Sequence, residues 1–253
     1  MAEIYKIFFF SYYQMRSRYR RTIAGFVWVT ANPIITFIVQ ALIFKSILKF
    51  NMEDYPLFLL TGLIPWFFIS QSIQNITSCL LTSREVLLGF KISPVVIIGA
   101  HIVDQFLSFL TAFAIISLYL VCTGTMDLTL GGGLLIIPSV LLLCSFVFLA
   151  TALVSFWHVF YRDVQFVVQF LMNLAFYVTP IFYSRDLVEQ KYQWLISINF
   201  FVPFISMFQN SLYRLNYELW LESSISALGI VLLLSIMVYL SFKNKMKDFY
   251  INV

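Results

Sequence analysis

Only two residues of this chain place ionisable chemistry inside a long apolar run, His101 and Asp104, three positions apart. On a helix that spacing puts both on one face. Ionisable groups at membrane depth are costly, and they mark ion pathways by default. A proton relay is the sharp reading. A relay needs a chain of groups, however, and no third one extends this pair. The two read better as polar positions near the inner end of a span, hydrogen-bonding to neighbouring helices. His158 adjoins an inner turn and reads as interfacial. Cys79, Cys122 and Cys144 all fall in apolar runs, without Cys-x-x-Cys spacing, which fits small core hydrophobes better than disulfides or ligands. No His-Glu-x-x-His, no Gly-x-Ser-x-Gly and no paired carboxylates occur, and Gly131-Gly132-Gly133 lacks the Lys-Ser/Thr of a phosphate loop. The expectation is a chain with no catalytic residue, no metal site and no ATP site of its own.

Its most pointed chemistry is a mixture of rings and amides. The sequence holds 28 Phe, 14 Tyr and 5 Trp, most of them ordinary interface anchors. Between residues 164 and 184, Gln165, Gln169 and Asn173 form one i, i+4 row, and Phe166, Phe170 and Tyr177 lie in an adjoining one. Lipid-facing helices rarely use amides in this way, whereas bundle interiors and pores do. Helix-packing glue is one reading of the pattern. The other is a surface for sugar, whose C–H faces pack on rings and whose hydroxyls need hydrogen bonds.

The elements that position these rows follow from composition. Of 253 residues, 61% are hydrophobic and 11% charged, with a mean hydropathy of +0.89. A soluble domain carries about 25% charged residues, so this solvent is lipid. A soluble enzyme, a nucleic-acid-binding domain and a disordered chain are all excluded. A bilayer core of about 30 Å needs about 20 apolar residues as helix, and seven uncharged runs reach that length. The one around 192–213 contains Gln193, Asn199, Gln209 and Asn210 and is interrupted by Pro203, leaving halves too short to cross. It reads as a re-entrant outer hairpin over 187–214, buried against protein because lipid cannot satisfy broken backbone.

Six spans remain, at about 22–48, 55–83, 94–122, 128–158, 164–184 and 223–242, in an all-α membrane protein. An even number places both termini on one side. With both termini cytoplasmic, the inner segments hold 11 Lys/Arg and the outer ones 5, as the positive-inside rule requires. Residues 4–21 carry Ile4, Phe8, Tyr12, Met15 and Tyr19 on one helical side, with Lys6, Arg16 and Arg20 opposite. That is an amphipathic helix in the inner interface, either a topology anchor or a contact for a cytoplasmic partner. The stretch 84–91, Arg84-Glu85-Val86-Leu87-Leu88-Gly89-Phe90-Lys91, reads as a short cytoplasmic docking helix or as an ordinary connector.

Four segments, in order, resemble the membrane subunits of type 2 ABC exporters, in the branch that exports O-antigen, capsule and teichoic acid. Tyr19-Arg20-Arg21-Thr22-Ile23-Ala24-Gly25-Phe26-Val27-Trp28, followed by Pro33, is similar to that family's basic–Gly–x–x–Trp opening of the first span. Thr61-Gly62-Leu63-Ile64-Pro65-Trp66 is similar to its Gly-Leu-x-Pro-Trp stretch. Tyr161-Arg162-Asp163 resembles its aromatic-Arg-Asp inner turn, and Thr179-Pro180-Ile181-Phe182-Tyr183-Ser184 its Thr-Pro-Ile-x-Tyr-Ser. Asn199-Phe200-Phe201-Val202-Pro203 stands where the family often has Asn-Pro, and Lys91-Ile92-Ser93-Pro94 where a more basic run is common.

The resemblance implies a permease half: a homodimer in the bacterial cytoplasmic (inner) membrane, joined to two cytoplasmic ABC ATPase subunits that bind the ATP and Mg. No cofactor is then bound by this chain. The cargo implied is a lipid-linked glycan moved outward through a pore between protomers. Its lining would be Trp28 and Phe37 from the first span and Phe166, Gln169, Phe170, Asn173 and Tyr177 from the fifth. Arg84, Glu85, Leu88 and Lys91 would meet the ATPase, and Arg20, Arg21, Arg162 and Asp163 would form the cytoplasmic gate and turn. The same architecture also serves permeases for drugs or small lipids. A proton-coupled carrier built on His101 and Asp104 is the reading from another class.

Overall fold

A computed structural model of the chain describes residues 2–19, 25–44, 54–90, 92–124, 126 and 130–253. Among them there is no strand, and the regular elements are all helices. In order, the helices are α1 (Ala2–Tyr19), α2 (Gly25–Leu42), α3 (Tyr55–Ile76), α4 (Cys79–Thr82), α5 (Arg84–Phe90), α6 (Pro94–Cys122), α7 (Leu130–Phe160), α8 (Val164–Val178), α9 (Gln193–Ile198), α10 (Val202–Phe208) and α11 (Tyr217–Asn252). Four of the described helices, α3, α6, α7 and α11, are long and apolar enough to cross a bilayer, or five spans if the bent pair around α9 and α10 counts as one. This is a multi-pass membrane protein by both chemistry and helix length.

Helix α3 is the hub. Most of its side chains are buried, and α2, α6, α7, α8 and α10 all pack on it. Phe68 meets Phe106 and Phe109 of α6 at 5.9 and 5.2 Å between ring centres, and Trp66 reaches Phe176 of α8 at 6.0 Å. Without a hydrophobic drive between helices in lipid, such ring packing is what holds spans together. Helix α6 starts at Pro94, the position where a fixed φ and a missing N–H suit a first turn.

Two elements differ in length from what the sequence predicts. Helix α8 ends at Val178, six residues before the expected 184. The cause is local: Thr179, ahead of Pro180, is extended at φ −81°, ψ 131°, because the proline ring disfavours helical backbone in the residue before it. At 15 residues the helix is about 22 Å long, short of a bilayer core. Helix α11 is longer than expected. It begins at Tyr217, capped by the Asn216 side chain accepting from the Leu219 N–H at 3.1 Å, and continues ten residues past the expected end at 242. No Gly or Pro follows Phe242 to stop it, and lysine is a good helix former. The cluster Lys243, Lys245 and Lys247 is thus helical, with the Lys245 ammonium 4.5 Å from the Trp157 ring centre on α7.

The elbow between α9 and α10 also differs in detail. The helices around it, 190–198 and 202–213, meet at 96°, but Pro203 does not break a helix. It sits in the first turn of α10, and the break lies upstream at Asn199, which is extended at φ −75°, ψ 114°.

Candidate transport surface

Helix α8 presents its chemistry outward. Met172 is its buried residue, and Val168, Ala175 and Phe176 pack beside it against the core. The remaining sides are uncovered by the chain itself. Phe166, Phe170 and Tyr177 are 69%, 62% and 68% exposed, and Gln165, Gln169 and Asn173 are exposed alongside them. The predicted rows are therefore brought together on one surface.

The first span divides differently. Phe37 is only 5% exposed and belongs to the chain's own core, so it does not join the open surface of α8 and the expectation that it lines a channel is not carried forward. The Trp28 side chain lies outside the described residues.

At one end of the bundle, Arg162 and Asp163 are exposed in the turn joining α7 to α8. The Asp163 backbone carbonyl accepts from the N–H groups of Phe166 and Val167, at 3.0 and 3.1 Å, so this turn starts α8 and fixes its direction. Helix α5 lies beyond the end of α3. Leu87 is buried and anchors it, while Arg84, Glu85 and Leu88 are exposed. Phe90, not among the predicted docking positions, is 76% exposed. A large ring in the last turn of a short amphipathic helix was the signal for it. Arg20, Arg21 and Lys91 lie outside the described residues.

At the opposite end, two segments distant in sequence meet. The spot where Gly62 would carry a Cβ lies 2.6 Å from the Ile181 backbone oxygen, so only a glycine on α3 lets the chain after α8 come this close. Side chains from α3 and the elbow satisfy two backbone carbonyls of the non-helical stretch 179–182 and hold the Thr179 side chain. The Thr179 hydroxyl donates to the Ala175 carbonyl at 2.6 Å and accepts from the Asn199 amide at 2.9 Å. The Gln209 amide donates to the Pro180 carbonyl at 3.0 Å, and the Tyr55 hydroxyl to the Phe182 carbonyl at 3.2 Å. This is how broken backbone persists at membrane depth. Two of the four amides that interrupt the 192–213 run, Asn199 and Gln209, tie the segment after α8 to the elbow. Trp66 closes the contact, edge-on to Phe201 at 5.3 Å.

Asp104 is buried and His101 half-buried on α6. Among the described residues no group of three His, Cys, Asp or Glu could hold a metal ion. His158 is buried at the end of α7, where Phe156, Trp157, Phe242 and Phe249 crowd together.

The described residues form a helical membrane bundle with an open amide-and-ring face, an exposed short helix at one end and a tied elbow at the other. Residues 5–213 match the ABC-2 type transporter family, and the chain belongs to that family. It is similar to an O-antigen export system permease protein, RfbA, of Klebsiella pneumoniae, with 28% identity over 92% of this chain and 88% of that one. A protein of the same name from Myxococcus xanthus is 24% identical over 79% of this chain and 77% of its own length. The polysialic acid transport protein KpsM of Escherichia coli is 29% identical over 50% of this chain and 52% of its own.

Proposed function

We propose that the chain is the permease half of an ATP-driven exporter that moves a lipid-linked polysaccharide, of the O-antigen kind, outward across the bacterial inner membrane. The observation that carries this reading is the open face of α8. Five predicted wall residues, Phe166, Gln169, Phe170, Asn173 and Tyr177, stand exposed on one short helix, and a second copy of the chain facing them would close a pore lined by rings and amides. Rings take the C–H faces of sugars and amides take their hydroxyls, so a long glycan can slide without being held at one point. The names of the similar proteins favour a polysaccharide over a drug or small lipid.

In this reading the six spans are α2, α3 continued by α4, α6, α7, α8 continued through the 179–184 stretch, and α11. Both termini are cytoplasmic, and the elbow at 187–214 enters the outer leaflet and returns. Helix α1 lies in the inner interface, with the exposed rings of Tyr5, Phe8 and Tyr12 in lipid. Two ATPase subunits hold the ATP and Mg and press on α5, through Arg84, Glu85, Leu88 and Phe90, with Lys91 beyond. The push reaches α3 through α4, and from there the outer elbow, through Gly62 and Trp66. Arg162 and Asp163 form the cytoplasmic gate and turn.

The test is reconstitution. Vesicles holding the permease and its ATPase should export glycan with ATP, and an ATPase variant unable to hydrolyse should abolish it. Equal export with the dead ATPase would sink the proposal.

A further inference from the structure

A small cavity of about 20 Å³ lies between α2, α3 and α6, walled by Pro33, Gln71, Gln105 and Ser108 together with the rings of Phe67 and Phe109. A single water needs about 10–15 Å³, so the space takes one water and no larger guest. It is separate from the surfaces assigned to transport above, since its described walls include no residue of α5 or α8.

Its chemistry calls for a hydrogen-bonding guest. Gln105 is 8% exposed, and among the described residues its side-chain amide has no hydrogen-bond partner. The same holds for Gln71, half-buried on α3. A buried amide left unpaired is costly, and more so away from water. The Ser108 hydroxyl donates to the Asp104 carbonyl at 3.1 Å, which leaves its oxygen free to accept. Pro33 adds a demand of a different kind. It lies inside α2 and has no N–H, so one rung of that helix's backbone ladder is missing beside the cavity. The described walls bring no charged side chain, so a neutral guest suits them, and an apolar one would leave the amides bare.

We infer that this cavity is a site for one ordered water, bridging the Gln105 amide of α6 to the Gln71 amide of α3 beside the open rung of α2. The two amides and the Ser108 oxygen supply the roughly two to four partners that a buried water takes. Water held in this way links the helices without locking them. It can turn to a new partner when α2 shifts, at little cost in hydrogen bonding, whereas a direct pair of side chains would have to break.

The test is an image of the permease–ATPase complex in nanodiscs, at a resolution that shows other buried waters. A density peak should stand within about 2.7–3.2 Å of both the Gln105 and the Gln71 amides. Gln105→Met keeps the length of the side chain and removes its amide. The peak should then vanish, and the unfolding temperature in detergent should fall by about 2–4 °C. The sign of that shift discriminates, because replacing a bare, unpaired amide by an apolar group of the same shape would leave the protein as stable or more so. No peak in the parent, where other buried waters are resolved, would overturn the site. So would a peak that survives Gln105→Met, or a variant no less stable than the parent. The density in the parent decides even where the variant fails to assemble, and neither readout depends on what the protein transports.

Discussion

Replacing Gly62 by alanine puts a methyl carbon 2.6 Å from the Ile181 carbonyl oxygen, and neither partner is a side chain that can swing aside. The expected cost is about 1–3 kcal/mol, as for other overpacked sites, read as a lower unfolding temperature in detergent. A variant as stable as the parent would show that the two segments separate easily. Tyr177→Ala acts on an exposed ring, so it should slow glycan export while the complex still assembles; lost assembly would make the ring packing rather than wall. Asp104 is the residue that separates transport classes. Asp104→Asn should leave ATP-driven export in vesicles within about twofold, less than the ~1 kcal/mol of one ordinary hydrogen bond. Transport that follows an imposed pH gradient and vanishes in this variant would restore the proton-coupled carrier.

At the scale of elements, α5 is anchored by one side chain and offers others. Leu88→Ser with Phe90→Ser removes two exposed apolar groups, each worth about 1.5–3 kcal/mol when fully covered, and leaves buried Leu87 in place. The ATPase should then co-purify in clearly lower yield while the permease keeps its thermal stability; unchanged yield would return α5 to the status of a connector. The limits of these elements show how far the sequence could be read. Helix α6 starts at Pro94, where Ser93-Pro94 is a local start signal, although the uncharged run begins only at Gln105, after Asp104. Helix α8 falls short because Thr179-Pro180 outweighs an apolar run that continues to Ser184, a backbone restriction that hydropathy does not register. Helix α11 overruns because charge ends a span without ending a helix. The ring-and-amide rows of α8 were legible from i, i+4 spacing. The pairing of Gly62 with Ile181 was not, since nothing local in either segment specifies the other. Phe37 shows the same limit: spacing gives a face, and only tertiary packing says which neighbour covers it.

For the whole molecule, the proposed homodimer makes a positional prediction. In a background with Cys79, Cys122 and Cys144 replaced, Asn173→Cys on the open face of α8 should form a disulfide with its counterpart under mild oxidation. Ile236→Cys, equally exposed but on α11, should not. Cross-linking at both positions, or at neither, would point to a different interface. The close approach of Gly62 and Ile181 governs what such a dimer can do when it opens. Two backbones in direct touch leave no compressible layer between them, so the outer end of α8 cannot slide along α3. It can only roll about that point, as a door turns on its pin. The Thr179–Asn199 and Pro180–Gln209 hydrogen bonds then gear the elbow to the roll, so the width of the outer mouth would be set by the angle of α8 rather than by the depth of any side chain.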